Sequence, residues 1–190
     1  ADVLIEEAIS TLGFDIFYLS SSLFLLVFFV VAYYQKKNYQ SFTIHKSYLA
    51  IMLLESFIYA SLLLIFLGNM GLYLMDISVE NIQFNLILSL GAGIYEELIF
   101  RVFFLFIFYR LIQFIFKSMS HFSTQFFALF ISSILFSLFH FMGSESFSQD
   151  AFTFRFIAGI LLGLLYINRG FGITAITHSF YDIFVIFQLT

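Results

Sequence analysis

Residues 84–115 read FNLILSLGAGIYEELIFRVFFLFIFYRLIQFI and make up the longest predicted membrane span of the chain. About 20 helical residues cross the roughly 30 Å hydrocarbon core of a bilayer, so this run is long enough to span it. Its centre nevertheless carries Glu96, Glu97 and Arg101. Charged side chains are costly inside a bilayer and usually face the interior of a helical bundle. The run therefore predicts a transmembrane helix that contributes to a buried polar site.

The whole chain has the composition of an integral membrane protein. Of its 190 residues, 62% are hydrophobic and 11% are charged, whereas a soluble domain carries about 25% charged residues. The apolar runs predict an all-α, polytopic transmembrane helical bundle with about six spans. These spans cover residues 12–34, 48–74, 84–115, 123–142, 152–168 and 172–189. The acidic segment ADVLIEEAIS precedes them and lacks the basic region of a signal peptide, so we expect it in the mature chain.

The charges of the predicted loops alternate along the chain. Three loops are basic, and the remaining loops and the N-terminal segment are acidic, with Arg155 as the exception. The basic residues are Lys36, Lys37, Lys46, Arg110, Lys117, His121 and Arg169. Because basic loops stay in the cytoplasm, both termini are predicted to lie outside. The Phe-rich composition without Trp or Pro is typical of AT-rich coding, which favours a bacterial plasma membrane.

The composition also excludes several classes of site and partner. The chain has no Cys, which excludes disulfide frameworks, thiol nucleophiles and cysteine metal sites. It has no extended basic region of the kind that binds nucleic acid. Membrane lipid is the expected environment and partner.

Four ionisable side chains on three predicted spans are candidates for chemistry: Glu96, His140, His178 and Asp182. His178 and Asp182 are four residues apart and share a helix face, so the carboxylate can hold the imidazole ring. Glu96 is rotated by about 100° from Glu97 and can point to a different partner. Carboxylates and imidazoles can move protons and position water at neutral pH.

Other polar or small residues in the spans have structural explanations. Glu97 and Arg101 are four residues apart, which predicts a neutralised pair that supports the site. Glu55 in the second span is expected to pair with a basic group near the inner face of the membrane. Gly159 and Gly163 repeat at a spacing of four, which is typical of close helix packing.

Three short motifs resemble, in order, those of the CAAX protease and bacteriocin-processing family of membrane endopeptidases, also called CPBP or Abi. The family motifs EExxxR, FxxxH and HxxxN or HxxxD correspond to Glu96–Arg101, Phe136–His140 and His178–Asp182. The resemblance divides the chain into two parts. Residues 1–82 hold the acidic segment and two spans, and residues 83–190 form a catalytic core of four spans like that of the family.

The resemblance implies a glutamate-dependent intramembrane endopeptidase that acts on a peptide or a membrane protein. At the matching positions, Glu96 and His140 would activate a water molecule. His178 and Asp182 would stabilise the oxyanion that forms when water attacks the peptide carbonyl. Because an ionised aspartate cannot donate a hydrogen bond, we expect Asp182 to orient His178 or to be protonated itself.

The family has also been described as metalloproteases, so zinc is the cofactor to consider. If zinc binds, its ligands would be Glu96, His140 and His178. The chain has no HExxH motif, and we expect no obligatory metal.

Two other classes of function remain open. A protein of the same fold could bind a peptide without cutting it, as in bacteriocin self-immunity. A proton-coupled transporter would also bury glutamate, histidine and aspartate, although the chain shows no inverted second half. Aspartyl, rhomboid-like and site-two-type proteases are disfavoured because their motifs are missing.

Overall fold

The computed structural model describes Tyr33 and residues 46–69, 82–142 and 146–188. These ranges contain helices and short connections and no strand, which confirms the predicted all-α fold class. In chain order the elements are α1 (Lys46–Asn69), α2 (Ile82–Glu97), a π-helix (Leu98–Phe104), α3 (Leu105–Ile115), α4 (His121–Phe139), a 3-10 turn (His140–Met142), α5 (Gln149–Arg169) and α6 (Phe171–Gln188).

The chain divides into two compact units. One comprises residues 1–49 and 139–146, and the other comprises residues 50–138 and 147–190. The packing and the site described below lie in the second unit. The division implied by the resemblance, into residues 1–82 and a catalytic core of residues 83–190, stays a prediction.

Five of the six predicted spans correspond to these helices. Four helical runs are long and apolar enough to cross a membrane: Lys46–Gly68, Ser89–Ile115, His121–Met142 and Gln149–Arg169. A fifth apolar helix, Phe171–Phe187, is shorter. The first predicted span, residues 12–34, lies outside the described residues except for Tyr33. The helices thus have the lengths and the composition of the predicted transmembrane bundle.

The ends of α5 follow from the residues that flank it. The backbone N–H of Ala151 donates to Ser148 Oγ at 3.5 Å, and serine is a preferred residue at this capping position. At the other end, Gly170 has a φ of +79°, which glycine adopts more readily than other residues. Its N–H donates to the carbonyl of Tyr166 at 2.8 Å. Since α6 begins directly after Gly170, the connection between α5 and α6 is a tight turn.

Helices α2 and α6 pack closely at Gly93. A methyl group added there would lie 2.7 Å from the backbone nitrogen of Ser179 and 3.0 Å from the carbonyl oxygen of Ala175. The Ser179 hydroxyl also donates to the carbonyl of Leu90 at 3.5 Å. Because Gly93 lies one turn before Glu97, this contact brings the acidic end of α2 to the middle of α6.

Helices α4 and α5 pack closely at Gly159 and Gly163. A methyl group at Gly159 would lie 3.2 Å from Ser133 Cβ and from Phe136 Cδ1, and one at Gly163 would overlap the side chain of Leu129. Small residues allow helix backbones to approach in this way. The predicted packing role of this glycine pair is confirmed.

Helix α1 is attached to the turn between α5 and α6. Both oxygens of Glu55 accept hydrogen bonds of 2.6 Å from the guanidinium of Arg169, which confirms that Glu55 pairs with a basic residue. The Ser56 hydroxyl donates to the carbonyl of Ile173 at 3.3 Å. These bonds hold α1 against the beginning of the helix that carries His178.

We expect Gly93→Ala to destabilise the protein by about 1–3 kcal/mol, the usual cost of overpacking. The added methyl group would meet backbone atoms of α6, which cannot rotate away as the end of a side chain can. The matched control is Gly91→Ala, because a methyl group there has no atom within 4 Å. Thermal unfolding of both variants in the same detergent tests this. Equal stability of the two variants would contradict the close approach.

Candidate active site

A buried pair of opposite charges lies at the centre of the site. Arg101 Nε is 3.0 Å from Glu97 Oε2, and the two side chains are 2% and 0% exposed. Arg101 Nη2 donates to the carbonyl of Gly159 at 3.2 Å, and its guanidinium carbon lies 4.6 Å from the centre of the Phe136 ring. A buried pair needs such additional contacts to offset the loss of hydration. The predicted pairing of Glu97 with Arg101 is therefore confirmed.

Glu97 also binds the imidazole ring of His178. The distance from His178 Nδ1 to Glu97 Oε1 is 2.9 Å. A carboxylate that is paired with arginine can only accept, so the Nδ1–H of the ring donates this bond. Glu97 thus bridges Arg101 and His178, with one oxygen for each.

This bridge differs from the sequence-based expectation that Asp182 holds the ring. Spacing along α6 brings Asp182 near the ring, but its Oδ2 lies 3.7 Å from Nε2, beyond hydrogen-bonding distance. The close approach of α2 and α6 at Gly93 places Glu97 beside Nδ1 instead. A contact between helices therefore fixes the Nδ1 side of the His178 ring, and Asp182 lies near its Nε2 side.

The other nitrogen of His178 faces the more open side of the site. Glu96 Oε2 lies 3.9 Å from Nε2, on the same side as Asp182. The side chains of Glu96 and Asp182 are 19% and 29% exposed, whereas Glu97 is fully buried. Polar groups separated by more than about 3.5 Å can be bridged by a water molecule. The geometry therefore combines one fully buried carboxylate, Glu97, with two that are partly exposed, Glu96 and Asp182.

Aromatic rings cover the buried side of the site. The ring of Phe136 packs edge-on against His178, with centroids 6.1 Å apart, and against Phe100 at 5.2 Å. In the structure it contacts Arg101 and His178, because α4 packs against α5 and the π-helix through this face.

The structure brings together five of the six predicted site residues: Glu96, Glu97, Arg101, His178 and Asp182. His140 begins the 3-10 turn that follows α4, and it belongs to the other compact unit. Its convergence with the other five stays a prediction.

Two features of the site were not found from the sequence. The first is Gly93, which lies four residues before Glu97, and a small residue so close to a polar position could have indicated a helix contact. The second is the π-helix that begins directly after Glu97 and contains Arg101. Its sequence, LIFRVFF, has no glycine or proline to signal the wider turn.

The carboxylate and imidazole atoms of the site are the donors that a metal ion would need. Within residues 46–69, 82–142 and 146–188, no three carboxylate or imidazole side chains are arranged as the ligands of a metal ion. Glu97 occupies Nδ1 of His178, so Nε2 is the nitrogen that remains for any ligand. The zinc ligands predicted from the resemblance, Glu96, His140 and His178, stay a prediction.

Comparison with known proteins gives one positive result. A family model described as type II CAAX prenyl endopeptidase Rce1-like matches residues 78–184, which is more than half of the chain. The match includes all six predicted site residues. Searches of curated proteins and of solved structures found no match.

Proposed function

Because this chain belongs to the type II CAAX prenyl endopeptidase Rce1-like family, we propose that it cleaves a peptide bond within the membrane with a water molecule that Glu96 activates. The family is one of proteases, and the apolar helices are those of a membrane protein. The proposed mechanism rests on one observation. Three carboxylates surround the buried imidazole of His178, and they belong to Glu96, Glu97 and Asp182.

The different exposure of the two adjacent glutamates supports a division of roles. Oε1 of Glu97 binds His178, Oε2 lies 3.0 Å from Arg101 Nε, and the whole side chain is buried, so Glu97 is not exposed to water. Glu96 is partly exposed and lies near His178 Nε2. A general base must reach the proton that it removes, and among these two Glu96 meets that requirement. Glu97 and Arg101 then act as positioning residues.

In the proposed reaction, Glu96 takes a proton from water while the water oxygen attacks the peptide carbonyl. His140, by its resemblance to the family motif, helps to orient this water. His178, protonated on both nitrogens among the three surrounding carboxylates, donates its Nε2–H to the oxyanion, and Glu96 returns the proton to the leaving amine. A preset donor of this kind contributes about 3–4 kcal/mol to the stabilisation of a transition state. Asp182 orients the ring from the open side or donates in its protonated form.

Hydrolysis inside a bilayer requires a route for water, because the hydrocarbon core has none. The partly exposed Glu96 and Asp182 support such a route on the Nε2 side of the ring. The proposed substrate is a peptide or a membrane protein that reaches this side from the lipid. We place this chain as a multi-pass protein in a bacterial plasma membrane on its composition, and we place both termini outside on the charge pattern of its loops.

The proposal is tested by comparing the peptide ends found in membranes with and without the protein. The purified protein is reconstituted into vesicles with bacterial membrane extract, and new termini are identified by mass spectrometry. We expect a set of ends that appears with the wild-type protein and is missing with Glu96→Gln. Identical sets of ends would favour the alternative function, in which the protein binds a peptide without cutting it.

Chelation tests the expectation that no metal is required. We expect the cleavage rate to survive treatment with EDTA followed by dialysis, because the proposed proton transfers use only protein side chains. The same preparation with added zinc serves as the control. Loss of activity in EDTA and its recovery with zinc would contradict this prediction and favour a metal-activated water.

A further inference from the structure

The π-helix between α2 and α3 is held by a bond from a different helix. The N–H of Leu105 donates to the carbonyl of Phe100, five residues earlier, which is the bond that defines this wider turn. The hydroxyl of Ser132 on α4 donates to the same carbonyl oxygen at 2.6 Å. Ser132 and Phe100 are 2% and 3% exposed. The carbonyl of Phe100 therefore has two donors, one from its own helix and one from α4.

The location of this bond links it to the site. Phe100 is adjacent to Arg101, and Arg101 holds the carboxylate of Glu97, which in turn holds His178. π-Helical turns are rare and are frequently found at functional sites. Because the local sequence has no helix-breaking residue, the wider turn must be stabilised by contacts from outside it. Ser132 provides such a contact at the residue next to Arg101.

We infer that Ser132 is a positioning residue for the reaction, because its hydroxyl keeps the π-helix in the register in which Arg101 pairs with Glu97 and also reaches the Gly159 carbonyl on α5. The inference deepens the proposed function and rests on it. Without the hydroxyl, Leu105 still donates to Phe100, so no buried carbonyl loses its last partner. The turn loses only the bond that ties it to α4. The segment can then return toward ordinary α-helical bonding, which rotates Arg101 away from the Gly159 carbonyl on α5.

The neighbouring serine offers a matched control. Ser133 is equally buried, but its hydroxyl donates to the carbonyl of Leu129 in its own helix at 2.8 Å. Ser133→Ala therefore removes one buried hydroxyl bond from α4 and leaves the π-helix untouched. Ser132→Ala also removes one buried hydroxyl bond, but this bond joins α4 to the π-helix.

The experiment measures kcat and KM of both variants at equal amounts of folded protein, together with hydrogen exchange of the amides of residues 98–105. For Ser132→Ala we expect kcat to fall about tenfold, the equivalent of one hydrogen bond. KM should stay unchanged, because Ser132 does not touch the substrate. Exchange should become faster in residues 98–105 and not in the other helices. Ser133→Ala should keep the wild-type kcat and the wild-type exchange in this segment.

Three outcomes would overturn the inference: wild-type kcat in Ser132→Ala, an equal loss of kcat in Ser133→Ala, or unchanged exchange of residues 98–105 in Ser132→Ala. Failure of the proposed function is a different result, because then the wild-type protein itself would cleave no peptide bond.

Discussion

Glu96→Gln should reduce the rate of peptide-bond hydrolysis by about 10²–10⁴-fold, the usual contribution of a general base. The amide has the size of the carboxylate but cannot take a proton from water. Glu96 is partly exposed, and the variant leaves the bonds of Glu97 to Arg101 and His178 in place. We therefore expect the thermal stability of the variant to stay close to that of the wild type. Single-turnover cleavage of a substrate identified from its new termini gives the rate.

Glu97→Gln is the matched comparison for this prediction. It changes the adjacent residue in the same way, but it removes the negative charge that faces both Arg101 and the ring of His178. It should lower both stability and activity, whereas Glu96→Gln should lower activity alone. If Glu96→Gln cleaved its substrate at the wild-type rate while remaining folded, Glu96 would not be the base and the mechanism proposed here would be wrong.

Replacing Arg101 with methionine should cause the largest loss of stability, about 3–5 kcal/mol, because it leaves the buried carboxylate of Glu97 without its arginine partner. Glu97 is fully buried and has no access to water that would hydrate the charge. The variant also removes the donor to the Gly159 carbonyl and the cation over the Phe136 ring. Unfolding in mixed micelles measures the change in free energy. Arg110→Met is the control, because Arg110 is exposed on α3.

A double variant separates the charge from the packing. In Glu97→Gln with Arg101→Met, no buried charge is left without a partner, so part of the lost stability should return. Activity should not return, because the ring of His178 still lacks its carboxylate partner. If the two residues act independently, their effects on stability add. The double variant is then less stable than Arg101→Met by the full loss that Glu97→Gln causes alone. That result would contradict the bridge through Glu97.

Much of this protein follows from its sequence. Six apolar runs predict a helical membrane protein, because a chain that crosses lipid must satisfy its backbone hydrogen bonds within helices. The described helices agree with five of these runs. The pairing of Glu97 with Arg101 also follows from the sequence, since residues four apart on a helix are neighbours whatever surrounds them. The polar residues inside the spans mark the site, because a bilayer tolerates them only where they have partners.

The tertiary structure decided which partners these residues have. Spacing within α6 pointed to Asp182 as the partner of His178, but His178 donates its hydrogen bond to Glu97, which lies on α2, 81 positions away in sequence. Periodicity describes one helix at a time, and the contact at Gly93 that joins α2 to α6 depends on how two backbones pack. The wider turn at Arg101 is likewise held by Ser132 from another helix. Bonds of this kind depend on relative positions of helices, which hydrophobic patterns along a chain do not contain.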